Sequence, residues 1–538
     1  MSHKLKSLCL ALLLTLGACL PVGAAEAEDR PAENTEVLEH VGEYGLFQEG
    51  AFFGPQTLPG GGVLLEASEH PGYTAAEERL YREIEAGLRE HVESFSITPF
   101  PLSSKECLLE IYYQVINDHP EFFYCQSGLG WSQTPSAVVK IMPRYLFAPE
   151  EIDELTAEFE RCVSAALAQV DGVTDPLEKV LILHDYLVVN CQYAQPIPDP
   201  PSPVYSAYGA LVDKVAVCQG YSLAFKVLMD RIDVPCVMVL GAEEMNHIWN
   251  AVQLDGKWYH MDVTWDDPVP NHEGYCGHNY FLVSNEKLLE EGVGEGCHYG
   301  WDNSVVAPWG EPEYDSGWIF NDSAAPIYRW NDSYYYLVAP YLNLSYVYQA
   351  DSLRAPDTPA SVYTGGLERD AYCGCVWRDG RLYYIPYTTQ EALHVEALML
   401  DKRKIVQLEE FTREGDESVG LRVEEEGLGV YRANTDVLLG TATPVPEWRE
   451  FTSSGRTYGL TEDGGYLLLD RSASNVRGKA LWVAGYDGEG KMTLIGSAES
   501  FPALGYGDAD FVMVSCQCSG TQSEELKAFL LDPTTFAP

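Results

Sequence analysis

Three residues of this sequence, Cys218, His247 and Asp262, have the types and spacing that acyl chemistry on an amide would need. A thiol attacks a carbonyl only as thiolate, so it requires a stabilising field and a proton acceptor. Cys218 sits where a loop enters the apolar run Ala224-Phe225-Lys226-Val227-Leu228, whose pattern predicts a buried helix over 219–229. The free N–H groups and the macrodipole at a helix N-terminus stabilise a thiolate, and Gly220 lets backbone approach closely. The acceptor is His247, at the start of a predicted strand, and Asp262 lies in the next predicted strand. Asp255-Gly256 between them is a hairpin signal, so the two strands should lie side by side. The aspartate can then bond one imidazole nitrogen and hold the other toward sulfur. Trp249 and Trp265 are expected to flank and shield the pair. The backbone N–H of Cys218 is the default oxyanion donor.

The elements that must position these residues are helical at first. Leu80, Ile84 and Leu88 repeat every four residues with charge between them, the stripe of an amphipathic helix. Further helices are predicted at 107–115, stopped by His119-Pro120, and at 150–170, 176–189 and 204–211. Pro176 stands near a helix start, where its missing N–H costs little. Phe122-Phe123-Tyr124 reads as a short strand, as does 235–240. Strands at 248–254 and 257–263 make the hairpin.

Around these residues the sequence resembles the bacterial transglutaminase-like superfamily. The resemblance rests on Val217-Cys218-Gln219-Gly220-Tyr221-Ser222, on Asn246-His247-Ile248-Trp249-Asn250, and on Trp258 to Pro268 with its core Met261-Asp262-Val263-Thr264-Trp265. Ile182-Leu183-His184-Asp185-Tyr186-Leu187 and Tyr208-Gly209-Ala210-Leu211 are similar to that family's lead-in helices. The similarity spans about residues 73–289. It implies a papain-like α+β core with Cys218, His247 and Asp262 as a catalytic triad. Ile248 departs from the small residue usual before Trp249.

After about Pro308 the texture becomes all-β. Polar turns precede short aromatic or β-branched runs: Asn331-Asp332-Ser333 before Tyr334, Arg378-Asp379-Gly380 before Leu382, Glu426-Gly427 before Leu428, Glu462-Asp463-Gly464 before Tyr466, and Gly507-Asp508 before Phe511. The spacing of about 40–50 residues suits propeller blades, with a β-sandwich as the alternative. Cys373 with Cys375 and Cys516 with Cys518 are one residue apart, so strand alternation gives them a common face and makes a bridge within either pair difficult.

The 538 residues, 46% hydrophobic and 21% charged, call for two or three globular domains. A net charge of −47 repels phosphate backbones and anionic lipid, which sets aside nucleic acid and charge-driven membrane docking. At the N-terminus Lys4 and Lys6 precede the apolar Leu8 to Leu16, too short to span a bilayer and typical of a signal peptide. Leu16-Gly17-Ala18-Cys19 resembles a lipobox, which would place a lipid anchor on Cys19; cleavage after Gly23-Ala24-Ala25 is the alternative.

The sequence reading is therefore a signal segment at 1–25, a linker at 26–69, a helical lead-in with a transglutaminase-like core at 70–305, and an all-β repeat domain at 310–538. His272, Cys276, His278, Cys297 and His298 are zinc-ligand types, but their spacing fits no common structural zinc site. Gly292-Val293-Gly294-Glu295-Gly296 lacks the strand-then-helix setting of a nucleotide fingerprint. No metal and no cofactor is expected. The expected activity is thiol acyl transfer on an amide of a protein or peptide, including cell-wall peptide. The rival is a catalytically silent surface-binding or scaffolding protein.

Overall fold

The computed structural model describes residues 34–36, 52–53, 70 and 73–531, apart from short stretches at 243–244, 291–296, 302–307, 316–317, 319, 342–343, 355–359, 366–374, 387–390, 415–418, 425–426, 471–478, 499–508 and 521–522. The signal segment with Cys19, the motif at 292–296, and Cys373, Glu426, Gly507 and Asp508 lie outside the described residues.

Two short strands, β1 (Asn34–Glu36) and β2 (Phe52–Phe53), fall inside the stretch read as linker. Both are paired into sheets, β1 through Asn34 opposite Gln133 and β2 through Phe52 opposite Val239. Extended backbone needs only a free sheet edge to pair, and neither two nor three residues make a pattern a sequence can show.

The lead-in begins with α1 (Ala75–Arg89), started by a capping box between Thr74 and Glu77, which satisfies two orphan N–H groups reciprocally. Then come β3 (Phe95–Pro101), α2 (Lys105–Asp118), β4 (Cys125–Gln133) and β5 (Ala137–Tyr145). The sheet order is β1-β4-β5-β3. The strand expected at Phe122–Tyr124 is instead a 3-10 turn over Pro120–Phe122 running into β4. Pro120 fixes a turn-compatible φ there, and the three aromatic side chains are buried without needing a strand.

Next come α3 (Ile152–Leu167) and α4 (Pro176–Asn190). Pro176 is the first residue of α4 and Asp175 caps it, accepting from the Leu177 N–H. Short strands β6 (Gln192–Tyr193) and β7 (Val215–Ala216) pair in parallel. Between them the expected helix at 204–211 is a 3-10 turn at Pro203–Tyr205 and a π turn at Gly209–Asp213. α5 (Cys218–Arg231) follows, then β8 (Cys236–Leu240), β9 (Ile248–Leu254), β10 (Lys257–Met261) and the one-turn α6 (Val263–Asp266). The sheet order is β10-β9-β8-β2, with α5 packed against β8 and β9. Asp255 and Gly256 both take positive φ, 50° and 79°, the signature of the two-residue turn their types predict.

The C-terminal region is built largely of antiparallel β-sheets. A four-stranded meander runs through Tyr328–Trp330, Ser333–Tyr341, Leu344–Ala350 and Ala360–Gly365. A second meander, Cys375–Arg378 to Lys404–Thr412, is joined edge to edge with Phe511–Ser515, so that eight strands form one sheet. That seam is parallel, with Val406 opposite Phe511. Smaller sheets comprise Val419–Val423, Leu428–Arg432 and Leu438–Ala442, and the strands from Ala480–Tyr486 to Glu525–Leu531. The three expected turns that lie wholly in the described residues, at 331–333, 378–380 and 462–464, each lead into a strand of these sheets. Among the described residues these sheets close no barrel.

Cys516, between Phe511–Ser515 and Gln517–Gly520, and Cys518 face the same side with their sulfurs 3.3 Å apart, and both are free thiols.

One hydrophobic core runs from Leu80 through Phe225, Met238 and Met261 and on through Trp318, Phe320, Tyr336 and Leu353. The core does not stop at the expected boundary near 305–310. Trp258 also bonds both sides of that point, its N–H to the Pro308 carbonyl and its carbonyl to the Gly310 N–H.

Candidate functional site

The site starts from α5. Val217 offers no side-chain cap, so Cys218 opens the helix with its first N–H groups uncapped by any side chain. The approach is tight at Gly220, where a Cβ would lie 2.5 Å from the Val204 carbonyl oxygen and 2.9 Å from the Ala216 Cβ. Two hydrogen bonds lock β9 to this helix. Ser222 Oγ donates to the Ile248 carbonyl at 3.1 Å, and Asn250 Nδ2 donates to the Ser222 carbonyl at 3.1 Å. Ile248, the departure from the family pattern, is fully accommodated, with its side chain buried.

This brings His247, one residue before β9, to the Cys218 thiol, which hydrogen-bonds and couples electrostatically to the imidazole. Asp262 is one residue beyond β10 and caps α6, a small difference from the expected strand position. The reason is local: its Oδ1 accepts from the Thr264 and Trp265 N–H groups at 3.1 and 3.2 Å, so the chain turns into α6. Its Oδ2 accepts from His247 Nε2 at 2.6 Å. With Nε2 so occupied, Nδ1 is the nitrogen left for sulfur.

Burial would lower the imidazole pKa of His247, but the Asp262 charge and hydrogen bond, and the Cys218 contact, push it up to about 10. Burial would likewise raise the Asp262 carboxyl, and the facing imidazoles of His247 and His298 hold it below the usual carboxylate range. At neutral pH the pair is imidazolium and carboxylate.

Trp249 and Trp265 stand where expected, each stacked on His247 with centroids 5.8 and 5.1 Å away and interplanar angles of 20° and 23°. The sequence reading missed His298. It sat among discarded zinc-type residues, yet its Nε2 is 2.8 Å from Asp262 Oδ2. Its ring is boxed by Trp249, Trp265 and Tyr280 at 4.7, 4.2 and 5.1 Å. No spacing rule ties residue 298 to residue 262, so only the fold could reveal it. Tyr193 was missed too. The parallel pairing of β6 with β7 brings its phenol close enough for the Cys218 charge to help raise its pKa, after burial.

On another side of α5, Gln219 and Leu223 line a cavity of about 120 Å³ with Phe122, Tyr205 and Arg144. Asn117 lines it as well, and its buried Nδ2 has no hydrogen-bond partner.

Residues 164–263 match the model of the transglutaminase-like superfamily. The chain carries a transglutaminase-like core. The match takes in Cys218, His247 and Asp262 and stops short of His298. Among solved structures, a TGase crystal structure is 13% identical, with a TM-score of 0.20 and coverage of 27% of this chain and 45% of that one. A candidate cysteine protease from Cytophaga hutchinsonii is 15% identical, with a TM-score of 0.18 and coverage of 27% and 61%. A Trypanosoma rangeli sialidase is 10% identical, with a TM-score of 0.18 and coverage of 55% and 57%. The chain thus spans less than two thirds of each of these proteins, and likenesses at such TM-scores carry no argument. No curated protein matches the chain.

Proposed function

We propose that this chain is an exported thiol acyl-transfer enzyme acting on amide bonds of a protein or peptide, with Cys218 as nucleophile, His247 as general base and acid, and Asp262 as the group that orients His247. The observation that carries the reading is the continuous contact Cys218–His247–Asp262, closed by a 2.6 Å bond and buried beneath Trp249 and Trp265. A lone buried cysteine is ordinarily an inert filler; one joined to a helix N-terminus and a carboxylate-backed imidazole is not.

The steps balance without a cofactor. Sulfur attacks the amide carbon as a thiolate, its proton already held on His247. The oxyanion is met by the Cys218 backbone N–H. His247 returns the proton to the departing nitrogen, the C–N bond breaks, and a Cys218 thioester remains. Water or an amine then attacks, giving its proton to His247, and the C–S bond breaks to restore the Cys218 thiolate beside the imidazolium. Acid-quenched mass spectrometry after incubation with a glutamine-containing peptide or a cell-wall peptide tests this. An acyl adduct on Cys218 is expected, and adducts spread over several cysteines, or none, would contradict it.

Export with acylation at Cys19 is part of the same reading, supported by the basic, apolar and small-residue sequence at 4–19. The full chain is expected to partition into detergent, and Cys19→Ala to abolish that. A mature N-terminus at Ala25 or Glu26 would argue for plain secretion. The repeat-built C-terminal region, read as propeller-like, would select the large partner.

A further inference from the structure

We propose that His184, Asp185, Cys276 and His278 form a buried four-coordinate site for a zinc-class divalent ion, separate from the Cys218 centre. His184 and Asp185 lie on α4, and Cys276 and His278 lie in the loop after α6. Each offers one ligand atom, and the four atoms all lie within 4.8 Å of one another. Asp185 Oδ1 is 2.9 Å from His184 Nδ1 and 3.0 Å from His278 Nε2, and Cys276 Sγ is 3.9 Å from His278 Nε2. Zinc bonds of about 2.0 Å to nitrogen or oxygen and about 2.3 Å to sulfur set tetrahedral corners roughly 3.3–3.8 Å apart. The observed separations straddle that range, so sub-ångström shifts would seat the ion.

The donor chemistry selects the metal. Two imidazoles, one carboxylate and one thiolate suit zinc and not magnesium or calcium, which take oxygen. Three of the four side chains, His184, Cys276 and His278, are 0% exposed and Asp185 is 5% exposed. A closed site with four protein ligands is structural, because no position stays open for substrate.

The surroundings match what metal ligands require. A metal-bound imidazole ordinarily donates its other N–H to a carboxylate or carbonyl. His184 Nε2 is 3.2 Å from Asp266 Oδ2. The Asp185 carboxylate is held by the Ile327 N–H on Oδ2 at 2.9 Å, which leaves Oδ1 facing the cluster. The ion pairs of Asp185 and Asp266 are made with His184 and His278. A divalent cation would balance two carboxylates in a place that water does not reach. His278 Nε2 faces the other ligand atoms, 3.0 Å from Asp185 Oδ1 and 3.9 Å from Cys276 Sγ, while its buried Nδ1 lacks the outer bond that His184 has. The ion would tie α4 to the 276–278 loop and, through Asp185 and Ile327, to the first part of the C-terminal region.

The purified full-length chain should bind about one zinc per molecule, and a chelator should remove it with a fall in melting temperature of several degrees. Cobalt loading should give visible bands of a tetrahedral ion and a near-ultraviolet sulfur-to-cobalt charge-transfer band. Cys276→Ser should abolish the charge-transfer band, and His278→Asn should lower zinc stoichiometry well below one. His298→Asn should leave both unchanged, because His247, Asp262 and His298 form a different buried trio. If the His278 variant fails to fold, the cobalt spectrum of the native chain beside that of Cys276→Ser still decides. Zinc below about a tenth of an equivalent, with no cobalt bands, would overturn the proposal and leave a hydrogen-bonded cluster. Metal lost from His298→Asn but kept in Cys276→Ser would overturn it in favour of the other trio.

Discussion

Cys218 and Cys276 are both buried, each beside a histidine and near an aspartate, yet the groups around them differ. Cys218 meets a helix N-terminus and the imidazole of His247, whose own partner Asp262 keeps it protonated. Cys276 meets burial and the carboxylates of Asp185 and Asp266, which push its thiol well above the ordinary range. Cys191 is pushed up to about 12 by burial, and Cys236 is raised by the same cause. Residue type and burial therefore do not distinguish a nucleophile from a filler or a ligand. Both thiols are followed by an imidazole and a carboxylate, His247 and Asp262 for Cys218 and His278 and Asp185 for Cys276; what differs is that Cys218 opens a helix, whereas burial and the carboxylates of Asp185 and Asp266 raise the Cys276 thiol.

The largest expected effect breaks the comparison directly. Cys218→Ala should lower acyl transfer by on the order of 10⁴–10⁶ with an unchanged melting curve. Cys276→Ala should cost stability and leave kcat within a few-fold, read from progress curves on the same peptide amide. Equal losses of rate would erase the distinction. Asp262→Asn comes next. It keeps the shape but removes the charge that orients and stabilises the imidazolium, so a loss of roughly 10²–10⁴ in kcat is expected. An unchanged rate would remove Asp262 from the mechanism.

His298→Gln sharpens the picture at a smaller scale. His298 bonds the same Asp262 oxygen as His247, so it acts as a positioning residue. Loss of one charge-assisted bond of about 1.4 kcal/mol corresponds to about tenfold in rate. The alkaline limb of the pH–rate profile should move, because Asp262 then serves His247 alone. A profile that keeps its shape while only melting changes would make His298 structural.

A still subtler effect concerns stability against pH. The native His247 pKa of about 10 lies above its ordinary 6.5. Its stabilising contribution is therefore fully present below about pH 6.5 and is lost as pH rises through about 10. The Asp262 pKa is lowered from 3.8, so its contribution is present above that value and is lost on acidification. Equilibrium unfolding across pH should show both limbs, and His247→Asn should flatten the alkaline one.

The three blocks around Cys218, His247 and Asp262 were legible in the sequence because each combines a chemical residue with a local signal: a helix entrance, a strand start, a turn. The hairpin at Asp255-Gly256 was legible because only certain residues accept two positive φ values. His298 and the pairing of Cys276 with His184 were not, since both arise from contacts between segments with no fixed sequence distance. The extent of the core was hidden for a similar reason. The change of texture near Pro308 is real, but Trp318, Phe320 and Tyr336 pack into the same hydrophobic cluster as Phe225 and Met261. A break in secondary-structure type need not be a break in burial.

The measurement that tests the central claim most directly is the rate at which each cysteine of the native chain is alkylated by a small reagent at mildly acidic pH, resolved by peptide mass spectrometry. Exposure alone ranks the half-buried Cys107, Cys162 and Cys297 ahead of Cys218, which is 3% exposed. The reverse is expected, with Cys218 modified first and the advantage lost in His247→Asn. Alkylation that follows exposure, with Cys218 no faster than Cys191 or Cys236, would contradict it.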